Sequence, residues 1–157
     1  MTRRSAGILL HRRGPDGAPQ VLLGHMGGPF WARKDDAAWS IPKGEYGDDE
    51  RAEDAARREF VEELGLAVPP GDLRLLGDLT VSGGKVLTVW ALEGDLDVAA
   101  VVPGTFELEW PPRSGTVREF PEIDRAEWFE LDVAATKLVK GQRPYLDRLV
   151  AALTPDV

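Results

Sequence analysis

The chain has 157 residues, 43% hydrophobic and 29% charged, enough apolar material for one domain with a real core and too little length for a second. The absence of cysteine excludes disulfides, thiolate metal sites, iron–sulfur clusters and a cysteine nucleophile. Nineteen basic residues against twenty-seven acidic ones leave a formal charge of −8, the wrong sign for gripping long nucleic acid by its phosphates.

Taken in chain order, the apolar run Ala6–Leu10 stops at His11, Arg12 and Arg13, too short for a signal-peptide core. No segment approaches the roughly 20 apolar residues of a membrane span, so no membrane partner and a cytoplasmic location are the expectations. Ser5–Arg13 and Gln20–Met26 read as a hairpin about the turn Gly14-Pro15-Asp16-Gly17. Residues 27–36 read as an irregular surface loop carrying Phe30, Trp31, Arg33 and Lys34, able to line a site. A helix is predicted from about Glu50 to Leu64, with Asp48 and Asp49 as candidate caps and Gly65 as its left-handed stop. Leu73–Val81 and Val86–Leu92 read as a second hairpin joined by Ser82-Gly83-Gly84-Lys85, too short for a P-loop and best taken as a tight turn. The pattern weakens from Asp95 to Pro121, where only Thr105–Trp110 alternates well enough for a strand. Ala126–Leu131 completes the strands; Asp132 is expected to cap a helix to Lys140, and a helix over Pro144–Leu153 to pack through Tyr145, Leu146, Leu149, Val150 and Leu153.

The chemistry concentrates in the acidic helix. At about 100° per residue, Glu59, Glu62 and Glu63 fall within an arc of roughly 100°. Ala52, Ala55, Ala56 and Phe60 share that side, so the carboxylates emerge along a core-directed face rather than a solvated one. Carboxylates clustered at such an edge suit hard divalent cations, which take oxygen ligands and bridge to substrate phosphates. An ordinary Glu/Arg-rich helix with ion pairs at (i, i+4) is the plainer reading, and the spacing decides against it.

Gly44, five residues, Glu50, seven residues, then Arg58-Glu59-Phe60-Val61-Glu62-Glu63-Leu64-Gly65-Leu66 match without a gap the signature of the Nudix hydrolases, which the chain resembles. Seven fixed positions make a chance match on the order of one in 10⁹ per starting point. The resemblance implies an α+β fold: an αβα sandwich with a mixed β-sheet, the signature helix on one side and the C-terminal helices packing on the sheet, all in one domain over residues 1–157. It implies hydrolysis of a nucleoside diphosphate linked to another group, with Mg²⁺ (or Mn²⁺) held by the Gly44 carbonyl, Glu59, Glu62 and Glu63. Arg58 would orient the glutamates. Glu122 would be an accessory ligand, and either Glu59 or Glu122 the general base.

Trp39-Ser40-Ile41-Pro42-Lys43-Gly44-Glu45, the strand from Lys85 to Gly94-Asp95, and Glu122 ahead of Trp128 are similar to the asymmetric dinucleoside-polyphosphate hydrolases. This makes dinucleoside polyphosphates such as diadenosine tetraphosphate the expected substrates. ADP-ribose, nucleoside triphosphates and diphosphoinositol polyphosphates are the alternatives within the same chemistry, and a non-catalytic nucleotide-sensing module is the alternative of another class. Lys43 and Lys85 would contact phosphates, Arg113 would face the site, and Trp39, Phe30, Trp31 or Trp128 would stack on a base. Trp90 reads as core, and His11 and His25 as structural.

Overall fold

A computed structural model describes residues 3–154 of the chain. Strands β1 (Arg4–Arg13) and β2 (Pro19–Met26) form the predicted hairpin, with His11 opposite Val21. β1 is buried along most of its length, as an unbroken apolar run in a sheet covered on both faces must be. The two strands pair only over His11–Arg13 next to the turn and part before residue 11, and the fork is filled by two short strands that apolar patterning does not announce. β3 (Trp39–Ser40) pairs with β2, and β4 (Lys43–Tyr46) pairs with β1. Gly7 permits this approach, since a Cβ there would lie 2.6 Å from the Pro42 carbonyl oxygen.

Hairpin β5 (Arg74–Thr80) and β6 (Val86–Glu93) joins through β6, which runs parallel to β1. β9 (Ile123–Glu130) pairs antiparallel with β2, completing a mixed sheet of order β3-β2-β1-β6-β5, with β4 on β1 and β9 on β2. Alternate strand residues face opposite layers. Ala6, Ile8, Leu10 and Leu22 pack on helix α1 (Ala52–Leu64) through Ala55, Ala56, Phe60 and Leu64. Leu9, Val21 and Leu23 pack on helices α2 (Leu131–Lys137) and α3 (Pro144–Leu153) through Ala134, Tyr145, Leu146 and Leu149. The expected αβα sandwich results.

Several local expectations are corrected. α1 begins at Ala52, after an Arg51 cap with no side-chain hydrogen bond, so neither Asp48 nor Asp49 caps it. Gly65 ends it in the left-handed conformation, φ 67°, as predicted. α2 starts after Glu130 and stops at Lys137, short of Lys140, because Leu138 bridges to Trp39 and the Val139 N–H donates to the Trp39 carbonyl. On α3, Val150 and Leu153 remain exposed. In the weakly patterned region β7 (Thr105–Glu109) has an unforeseen partner, β8 (Val117–Pro121), and the two form a separate hairpin.

Candidate active site

The Gly65 stop and the apolar face of α1 fix that helix against β1, and Glu59 and Glu63 are thereby drawn inward until each is 9% exposed. Glu62, on the solvent side, stays open. Gly44, in β4, faces Glu59 so closely that a Cβ there would meet its carboxylate at 2.0 Å. Only glycine fits, which lets the β4 backbone close on the Glu59 carboxylate.

Arg58 braces the cluster. Its Nε and Nη2 donate to the two Glu50 oxygens, both at 2.8 Å, and its Nη1 donates to Glu59 at 2.8 Å and Glu62 at 3.1 Å. The Glu45 carbonyl accepts a further bond from Nη2 at 3.4 Å. These partners hold the guanidinium charged, and Arg58 in turn keeps the Glu50 carboxyl below its ordinary pKa. Glu50 therefore stands outside the helix as a second anchor for Arg58, a role that spacing alone could not assign; its place in the Gly44–Leu66 pattern was the available signal.

Glu122 comes from the junction of β8 and β9, remote in sequence from α1. Its N–H donates to the Gly104 carbonyl at 2.8 Å and its carbonyl accepts from Gly27 at 3.0 Å, while the Gly104 N–H donates to the Glu62 carbonyl at 3.0 Å. A Cβ at Gly27 would lie 1.9 Å from the Pro121 carbonyl oxygen, so the connection requires glycine. It sets the Glu122 carboxylate beside Glu63 and Glu59. Burial raises the Glu59 pKa, partly offset by Arg58. Burial, then the charges of Glu122 and Glu59, push Glu63 up to about 8 against the opposing pull of Lys43.

As they stand, no three His, Asp or Glu side chains among the described residues converge on a single point, and Arg58 engages oxygens of Glu59 and Glu62. The donor set nevertheless fits a hard divalent cation. It is entirely oxygen, it is anionic beyond what one arginine and one lysine neutralise, and the Gly44 cradle keeps Cβ out of it.

Lys43 and Lys85 open together on a cavity of about 440 Å³, whose lining includes Met26, Trp31 and Lys140. The remaining expectations are redirected. Trp39 is 1% exposed, its ring edge-on to His25 and Phe129 and its Nε1 donating to Asp35, so neither face is offered to a ligand. Trp128 lies six residues along β9 from Glu122, about 20 Å at strand spacing, beneath the Arg12 guanidinium. Arg113 sits in the exposed turn between β7 and β8, about 15 Å along the hairpin from the end next to Glu122, and is not brought to the carboxylates. His25 is buried between Asp124 and the Lys34 carbonyl, a structural role as expected.

An αβα sandwich whose helix presents an arginine-braced carboxylate cluster at the sheet edge defines a class built to manage pyrophosphate charge. The chain belongs to the Nudix family: the NUDIX domain description matches residues 1–149. It is accordingly a hydrolase of pyrophosphate bonds, in a family that generally uses divalent metals. Solved structures agree in fold. A C. elegans Ap4A hydrolase binary complex is 21% identical at TM-score 0.64, covering 95% of this chain and 97% of that one. The NUDIX domain of Shewanella oneidensis NrtR, complexed with ADP ribose, is 17% identical at TM-score 0.66, covering 98% and 90%. The M. smegmatis Nudix hydrolase RenU is 26% identical at TM-score 0.53, covering 98% and 88%. A search of curated proteins found no match. Among the described residues no helix is long and apolar enough to cross a membrane.

Proposed function

We propose that this hydrolase cleaves dinucleoside polyphosphates such as diadenosine tetraphosphate, with Mg²⁺ or Mn²⁺ held by the Gly44 carbonyl, Glu59, Glu62, Glu63 and Glu122. When bound, the cation supplies positive charge to the pyrophosphate oxygens and acidity to the attacking water. Arg58 spaces Glu59 and Glu62 and fixes their orientation. Glu122 is the base that accepts the water's proton: Glu59 is engaged by Arg58, whereas Glu122 has no ion-pair partner among the described residues. Lys43, between the carboxylates and the cavity, offsets phosphate charge.

The observation that carries this reading is the cavity shared by Lys43 and Lys85, which extends the cationic surface past the carboxylates and suits a chain of more than two phosphates. The test is product analysis with Mg²⁺ on diadenosine tetraphosphate, ADP-ribose, nucleoside triphosphates and a diphosphoinositol polyphosphate. Preferred cleavage of the first to ATP and AMP is the expected result; preference for any other member transfers the assignment to that substrate.

A further inference from the structure

The cavity holds more than the two lysines that the resemblance singled out. Lys140, in the 3₁₀ turn Lys140–Gln142, lines it as well, opposite the β5–β6 turn that ends in Lys85. None of Lys43, Lys85 and Lys140 has an ion-pair partner among the described residues. In a chain of net charge −8, three ammonium groups around one space repel one another; Lys43 also attracts the Glu63 carboxylate, and neither Lys85 nor Lys140 is ion-paired among the described residues. The remaining walls are mostly apolar, from Met26, Trp31, Val81 and Val139, with Ser40, Ser82 and Gln142 adding polar groups, and the volume of about 440 Å³ lies within the roughly 300–1,000 Å³ of small-molecule sites.

Cations at the rim and an aromatic wall inside together match one ligand chemistry, a planar base carrying phosphates. We propose that this cavity is a distal-nucleotide subsite: Lys140 and Lys85 bind the phosphates furthest from the carboxylates, and Trp31 packs on the second base. The proposal rests on the substrate reading above and extends it, assigning Lys140 and Trp31 as specificity determinants. The 3₁₀ turn is suited to this task because it is fastened to the sheet. The Gln142 Oε1 accepts from the Ile41 N–H at 2.8 Å, and the Gln142 Nε2 donates to Ser40 at 2.9 Å.

The experiment titrates ATP into the full chain without metal, in EDTA, by calorimetry and tryptophan fluorescence. Without a cation the carboxylates repel the nucleotide, so binding reports the cavity. Lys140→Ala is expected to raise the Kd about tenfold and Lys140→Arg to restore it. Trp31→Phe should abolish most of the fluorescence change. Arg13→Ala, which removes the same charge at the far end of β1, should leave the Kd within twofold. Failure of the wild-type chain to bind ATP, an unchanged Kd in Lys140→Ala, or equal losses in Lys140→Ala and Arg13→Ala would each overturn the subsite. Its failure is separable from that of the substrate assignment. Lys140-dependent ATP binding without diadenosine tetraphosphate cleavage retains the subsite and refutes the substrate, and cleavage with a Lys140-independent Kd does the reverse.

Discussion

Glu63 offers the sharpest test of the carboxylate cluster. Its pKa of about 8 means that at pH 7 roughly nine in ten metal-free molecules carry a proton there. The unfolded chain titrates near the ordinary 4.5. A folded pKa above the unfolded one gives stability that is complete below about pH 4.5 and is lost as pH rises through 8. At about 1.4 kcal/mol per unit, the loss by pH 7 is on the order of 3 kcal/mol. Glu63→Gln removes that charge with little change of volume. The metal-free variant should melt about 6–12 °C above wild type at pH 7, at 2–4 °C per kcal/mol for a chain of this size. It should also lose the decline between pH 5 and 8. Divalent cations need the carboxylate, so calorimetric Mg²⁺ titration in buffers of different ionisation enthalpy should show close to one proton released at pH 7, and Glu63→Gln should turn over substrate poorly. A metal-free melting temperature that is flat with pH in wild type, together with no proton release on Mg²⁺ binding, would refute the placement of Glu63 against Glu122.

Two further expectations address the brace and the core. Arg58→Lys keeps a charge but loses the fork that spans Glu50, Glu59 and Glu62; kcat/KM should fall about 10–100-fold, the scale of lost partners behind metal ligands, with retained activity arguing that charge alone suffices. Trp39→Ala should cost about 3–5 kcal/mol in denaturant unfolding, as a buried aromatic, and a change confined to KM with normal stability would restore it as a ligand contact.

The extent to which the sequence specifies this molecule follows the range of the forces involved. Residues Gly44 to Leu66 declare their chemistry because a helix converts spacing directly into a face: Glu59, Glu62 and Glu63 needed only the 3.6-residue period and the Gly65 stop to be placed together. The two main hairpins were equally legible, since Gly14–Gly17 and Ser82–Lys85 are turn chemistry between apolar runs. Helix onset was not, because Glu50 bonds to Arg58 instead of extending the helix, a side-chain competition invisible to propensity.

Tertiary structure alone decided what lies far apart in sequence. The β7–β8 hairpin closes through backbone pairing of two short, mostly exposed segments, which leaves little periodic signal. Trp39, expected to stack on a base, is buried because β3 pairs with β2. Glu122 reaches Glu63 only because Gly27 and Gly104 let three segments share backbone hydrogen bonds. Lys43, Lys85 and Lys140 likewise meet only once β4, the β5–β6 turn and the 3₁₀ turn are assembled around one cavity. Local pattern thus determined the reaction class through one helix, whereas the pocket beside it depends on long-range packing that no window of sequence contains.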